Sequence, residues 1–304
     1  MSSDENKEQV NNEVEGQGQE PEKKEEAVNV EAKPEENKPA EAKNEGEEKK
    51  PSLELPSFSF GQFIIAGIFE LVGTFLFISA ILLGSGPEAT IMAFWIIITM
   101  ITPFSGGHIN PAITFSYYIY EMDICKGLPK LIYYWIAQLA GGFLALMFAV
   151  EIKEKVEIII FKHAIEYPEF LTEAFFTGTF IFVFLYVNSK TTKISEHRAL
   201  NCVVVSTWLY YAATSAGKRS VGALNPAVLS VFAIYNAHVK ENYYEQHKHD
   251  IWMTLLAHFG SALVFAILFF IAEAAFPDAS PKKEDEKKEE EKKEEVKEIK
   301  ENVA

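Results

Sequence analysis

From Phe58 onward the chain alternates long apolar stretches with short polar connections. Six stretches, at about 59–84, 88–104, 128–150, 170–188, 199–217 and 251–274, have the length of helices that cross a hydrocarbon core, for which roughly 20 apolar residues suffice. Most of the Lys, Glu, Asp and Pro of this region lies between them. The connection Gly84-Ser85-Gly86-Pro87 is so short that the first two spans must form a tight antiparallel hairpin, and its glycines and proline suit the turn.

Two further apolar pieces, beginning near Asn110 and Asn225, are too short to cross. The first follows Ser105-Gly106-Gly107-His108-Ile109 and opens Asn110-Pro111-Ala112; the second follows Ser220-Val221-Gly222-Ala223-Leu224 and opens Asn225-Pro226-Ala227. Asn caps a helix start, and Pro at the first helical position lacks an N–H that would have no partner there. Both pieces therefore predict half-helices that begin abruptly. Irregular backbone at membrane depth is tolerated only where it is buried in protein or lines a wet cavity, so two re-entrant loops that end in helix N-termini imply a pore between them. Those N-termini present unpaired N–H groups and the positive ends of two helix dipoles, which disfavours cations and hydronium. The side-chain amides of Asn110 and Asn225 are candidate donors to passing oxygens.

An internal repeat relates the two pieces. Glu70 stands four residues before Thr74 in the first span, and Glu173 four before Thr177 in the fourth. Ala137-Gln138-Leu139-Ala140-Gly141-Gly142 in the third span parallels Ala257-His258-Phe259-Gly260-Ser261-Ala262 in the sixth. A repeat of three spans inserts its second copy upside down, which places a functional site at the midplane. The expected fold class is thus an all-α membrane protein of six transmembrane helices plus two re-entrant half-helices in an inverted repeat. An ionisable group within an apolar span normally faces the bundle interior, so Glu70 and Glu173 are expected to accept backbone N–H groups of the re-entrant loops. His108 either lines the pore or bonds to loop carbonyls. Trp95, Trp135 and Trp252 are expected against lipid and neighbouring helices.

Composition changes the picture only at the ends. The net charge is −15 although 48% of residues are hydrophobic; residues 1–57 hold 17 acidic side chains against 8 lysines, and residues 277–304 hold 11 against 8. The expected organisation is a disordered acidic N-terminal tail over 1–57, a channel domain over 58–276 with repeats at about 58–150 and 168–274, and a charged C-terminal tail over 277–304. The first 57 residues contain no apolar run of signal-peptide length. Cys125 and Cys202 have neither metal-ligand nor redox spacing, so no metal or cofactor is expected. No nucleophile with a base and no phosphate-binding loop stands in the apolar region, which argues against an enzyme, and no nucleic-acid partner is expected.

On both Asn-Pro-Ala boxes, Glu70, Glu173, Gly106-Gly107-His108 and Gln138, the chain resembles the aquaporin (major intrinsic protein) family over about residues 58–274. That resemblance implies a homotetramer in the lipid bilayer with one pore per protomer, cytoplasmic termini, and passage of water and small neutral solutes. It also implies four filter positions. Val228 stands where the family normally has Arg; Ala213 lies twelve residues before Asn225 and Gly222 three before it. Counting twenty back from Asn110 gives Thr90, or Phe94 if a gap intervenes. Leu229 replaces the Asp of glycerol-conducting members. Such a filter would be wider and less polar than a strict water filter, admitting glycerol, urea or ammonia, with Lys218 or Arg219 available to fold back into the mouth. The alternative reading is a structural or adhesive membrane protein that keeps the fold and conducts little.

Overall fold

The computed structural model describes residues 60–275 apart from 85, 123, 154–155, 157, 159 and 162–163; the two predicted tails, 1–57 and 277–304, lie outside the described residues. The described residues form eight α-helices: α1 Phe60–Leu83, α2 Pro87–Ser105, α3 Pro111–Tyr120, α4 Ile124–Ile152, α5 Tyr167–Asn188, α6 Arg198–Ala216, α7 Pro226–Val239 and α8 Tyr243–Ala275.

Local sequence sets the ends of these helices. Pro87 opens α2 directly after Gly86, and α2 stops where Gly106 turns left-handed (φ 91°) and donates its N–H back to the Thr102 carbonyl. Five helices, α1, α2, α4, α5 and α8, are long and apolar enough to cross a membrane by length and composition. The remaining predicted span, α6, is less apolar because it carries Arg198, Asn201, Ser206, Thr207 and Thr214. Its 19 residues still reach roughly 28 Å at about 1.5 Å per residue. Ser206 and Thr214 return their hydroxyls to their own helix, at the carbonyls of Cys202 (2.7 Å) and Tyr210 (2.6 Å), so neither needs a partner outside it. By the same measure α3, with 10 residues, and α7, with 14, are far too short to span.

The apolar pattern marks the lipid-immersed length of α8 but not its start. Eight polar-rich residues, Tyr243 to Asp250, continue the helix upstream of the predicted span, with a Lys248–Glu245 pair at 2.6 Å on its exposed side. Helix formation needs no apolar face where the chain leaves the hydrocarbon.

Packing repeats with the sequence. α1 packs on α4 and α2, as α5 packs on α8 and α6; α3 packs on α4 and α8, as α7 packs on α8 and α4. Exchanging α1–α4 for α5–α8 maps these pairs onto one another, with the α2–α6 and α3–α7 contacts mapping onto themselves. Each short helix thus lies between a long helix of its own half and one of the other. Where α1 crosses α4 the approach is so close that a Cβ built on Gly141 would sit 2.2 Å from the Leu71 carbonyl oxygen.

Candidate functional site

The two re-entrant loops meet end to end. Asn110 (φ −155°, ψ 118°) and Asn225 (φ −148°, ψ 112°) are extended N-caps, and each Oδ1 accepts the N–H two residues on, Ala112 and Ala227, both at 2.9 Å. Pro111 and Pro226 follow as the first helical residues, where a missing N–H is harmless. With its carbonyl oxygen used as a cap, each Asn amide nitrogen points the other way. Asn110 Nδ2 donates to the Leu224 carbonyl at 2.9 Å, and Asn225 Nδ2 donates to the Ile109 carbonyl at 3.0 Å. An amide nitrogen carries two hydrogens, so these cross-links leave one N–H on each Asn to offer elsewhere.

Backbone geometry turns those carbonyls. Ile109 (φ 38°) and Leu224 (φ 50°) are both left-handed, a conformation unfavourable for any residue with a Cβ and most of all for β-branched Ile. Two residues earlier, Gly107 and Gly222 share a φ of 66°. The two loops therefore trace the same path, one residue of strain included, and present the same atoms to one another.

Each loop is anchored by a buried carboxylate. Glu70 on α1 accepts the N–H of His108 at Oε1 (2.9 Å) and that of Ile109 at Oε2 (2.6 Å), and Gln138 of α4 donates to Oε2 at 2.8 Å. Glu173 on α5 accepts the N–H groups of Gly222 (2.7 Å) and Leu224 (3.1 Å), the Ser220 hydroxyl, and the His258 Nε2 of α8 (2.9 Å). A carboxylate that accepts several N–H bonds makes charge-assisted contacts, stronger than neutral ones, and so fixes an extended loop that has no secondary structure of its own. His258 stands in the second half where Gln138 stands in the first. Its pairing with Glu173 is a feature that sequence reading passed over, although the parallel of Ala137-Gln138 with Ala257-His258 held the signal.

His108 is buried, and its Nδ1 lies 3.2 Å from the Thr114 hydroxyl rather than on a loop carbonyl. Thr114 also receives a bond from Gln138 Nε2 (2.9 Å) and donates to the Asn110 carbonyl (3.1 Å), which joins the imidazole to the Glu70 anchor. The His108 ring stacks on Tyr117 with centres 4.7 Å apart. Trp135 is likewise tied to the site, donating its indole N–H to the Pro111 carbonyl at 3.0 Å, whereas Trp95 bonds to the Ala199 carbonyl at 3.1 Å and Trp252 is exposed on the outside of α8.

Of the positions expected to form a filter, Ala213 and Gly222 are adjacent: a Cβ on Gly222 would stand 2.6 Å from the Ala213 carbonyl oxygen. Val228 is buried in the first turn of α7, next to the fully buried Leu229. Thr90 directs its hydroxyl into the α1–α2 hairpin, at the carbonyls of Gly86 (3.0 Å) and Ala80 (3.2 Å). Phe94, one turn further on, packs its ring on Phe77 of α1 with centres 4.9 Å apart. Lys218 and Arg219 line a small cavity with Phe161 and Val221, and Arg219 Nε faces the Glu169 carboxylate at 3.5 Å. The arrangement holds the two Asn amides at the junction of the two half-helix N-termini. Among the described residues no group of three or more His, Cys, Asp or Glu side chains is placed to hold a metal ion.

Comparison with known proteins agrees with this architecture. The structure of an aquaglyceroporin from Plasmodium falciparum superposes with a TM-score of 0.58 at 20% sequence identity, over 68% of this chain and 96% of that one. No curated protein matches the chain in sequence. The sequence model of the family described as Major intrinsic protein matches residues 57–269, which takes in every helix from α1 through most of α8. The chain belongs to the major intrinsic protein family.

Proposed function

We propose that this membrane channel passes water together with small uncharged solutes such as glycerol, urea or ammonia, works as a homotetramer with one pore per protomer, and holds both termini in the cytoplasm. The observation that carries the water reading is the reciprocal cross-link: Asn110 bonds to the Leu224 carbonyl and Asn225 to the Ile109 carbonyl, so two amide donors are held side by side where the half-helix N-termini meet. A water oxygen passing that point accepts from both, and a cation meets two positive helix ends.

The solute reading rests on the filter. Ala213, Gly222 and Val228 supply only small or apolar groups, and Val228 brings no fixed cation. For the second-span position Phe94 fits better than Thr90, whose hydroxyl is committed to the hairpin backbone. Arg219, paired with Glu169, is the nearest stand-in for the absent charge.

The test is stopped-flow light scattering on proteoliposomes, with sucrose, glycerol and urea gradients and Val228→Arg in parallel. Fast shrinkage in sucrose with the shallow temperature dependence of bulk diffusion is the expected result, and slower glycerol and urea entry in Val228→Arg places that residue in the filter. Water permeability no higher than that of empty liposomes for both proteins would overturn the reading in favour of a structural role. Glycerol and urea exclusion by the unmodified protein would remove the solute half and leave the water half.

A further inference from the structure

The two re-entrant loops differ in the bulk of the rings packed around them. The loop that leads to Asn110 is held by Glu70 of α1 and, through Thr114, by Gln138 of α4, and the half-helix α3 that follows it also packs on α5. There Phe184 of α5 meets it. The Phe184 ring centre lies 6.3 Å from that of His108 and 6.0 Å from that of Tyr117, edge-on to both at 88° and 86°. His108 and Tyr117 are themselves stacked at 4.7 Å. Edge-to-face rings at such spacings are in van der Waals contact, so the three form one aromatic cluster.

Counting from the repeat landmarks, the positions equivalent to His108, Tyr117 and Phe184 are Ala223, Phe232 and Ile81. One aromatic ring in the α7 half thus answers three in the α3 half. The proposed filter positions of the α7 half, Ala213, Gly222 and Val228, carry no ring at all.

We infer that this channel selects solutes by size at the aromatic constriction His108–Tyr117–Phe184, in the half entered past α3, and not at the filter that lost its arginine. The inference rests on the channel reading above and names the residues that set its solute range. Tyr117 is the braced wall of the constriction. The Tyr120 ring stands against it edge-on, with centres 6.5 Å apart at 84°, and the Tyr120 hydroxyl donates to Glu273 of α8, which also receives the hydroxyls of Ser189 and Thr191. Phe184, on the facing helix, is the side a solute must displace. Water passes beside the rings, a larger solute has to displace Phe184, and the rate of passage falls as the size of the solute rises.

The experiment compares wild type, Phe184→Leu and Tyr117→Leu in proteoliposomes, reading water and glycerol permeability per reconstituted protein. Each Leu variant is expected to raise glycerol entry roughly tenfold over wild type, a barrier lower by about 1.4 kcal/mol. Tyr117→Trp, which adds bulk at the braced wall, is expected to lower it. Wild-type water conduction with glycerol entry in both Leu variants at or below the wild-type level overturns the inference and leaves the channel reading standing. Water permeability at the level of empty liposomes in wild type and in every variant overturns both.

Discussion

The anchor at Glu173 allows a magnitude to be worked from single atoms. Oε2 accepts the Gly222 N–H and the Ser220 hydroxyl, while Oε1 accepts the Leu224 N–H and the His258 Nε2. Replacing Glu173 by Gln turns one of these oxygens into an NH₂. If it is Oε2, the Ser220 hydroxyl rotates to accept from the new amide, but the Gly222 N–H cannot. If it is Oε1, His258 changes tautomer and accepts, but the Leu224 N–H cannot. Either way one backbone N–H in a buried loop loses its acceptor, which costs about 1–3 kcal/mol. Glu173→Ala strands both N–H groups and costs about 2–6 kcal/mol before any cavity is counted. Unfolding titrations in mixed detergent micelles measure both variants against wild type. The expected order is wild type, then Gln, then Ala, with water permeability falling in the same order because Leu224 is also the acceptor of Asn110. Equal stability of wild type and Glu173→Ala would refute the assignment of Glu173 as the loop's anchor.

The repeat extends this to Glu70→Gln, where an amide at Oε1 strands the His108 N–H and one at Oε2 strands the Ile109 N–H; the loss of stability should fall within the same range of about 1–3 kcal/mol in the same titration. Gly222→Ala meets a positive φ of 66° and the Ala213 carbonyl oxygen 2.6 Å from the new methyl, so it should destabilise the loop by about 1–3 kcal/mol and lower water flux in liposomes. Arg219→Gln removes the exposed partner of a half-buried Glu169 and should change unfolding stability by less than about 1 kcal/mol, with solute permeability the more sensitive readout.

Much of this architecture is readable from residue order because lipid imposes length. Spans α1, α2, α4 and α5 stand out by their length and mean hydropathy, and Asn110-Pro111 and Asn225-Pro226 mark helix starts where no span has room to begin. Glu70 and Glu173 are conspicuous for the opposite reason, as charges inside apolar runs. The Glu173–His258 pair is harder to see, since its members stand 85 residues apart and a single His on an apolar helix announces no partner. Least visible is the left-handed backbone at Ile109 and Leu224. Neither residue type favours that conformation; it is held by long-range bonds, the N–H to Glu70 or Glu173 and the carbonyl to the opposing Asn amide, 116 and 114 residues away. The aromatic constriction was hidden for a related reason: Phe184 looks like any other span Phe until α5 is placed opposite the first loop.

The interleaving of α3 and α7 has a consequence for how the chain is made. α3 lies against α8 and α7 against α4, so when the ribosome has delivered only α1 to α4, the Asn110 amide and the Ile109 carbonyl have no acceptor or donor of their own. A polar loop unpaired at membrane depth is unfavourable by several kcal/mol, and long-range pairing of this kind forms late. The nascent first half must therefore wait, its loop shallow or sheltered by the insertion machinery, until the second half supplies Leu224, Asn225 and α8. Biogenesis is a joining of two unfinished pieces. Halves expressed separately, divided in the connection before Tyr167, should each be degraded alone and rescued when produced together in one cell.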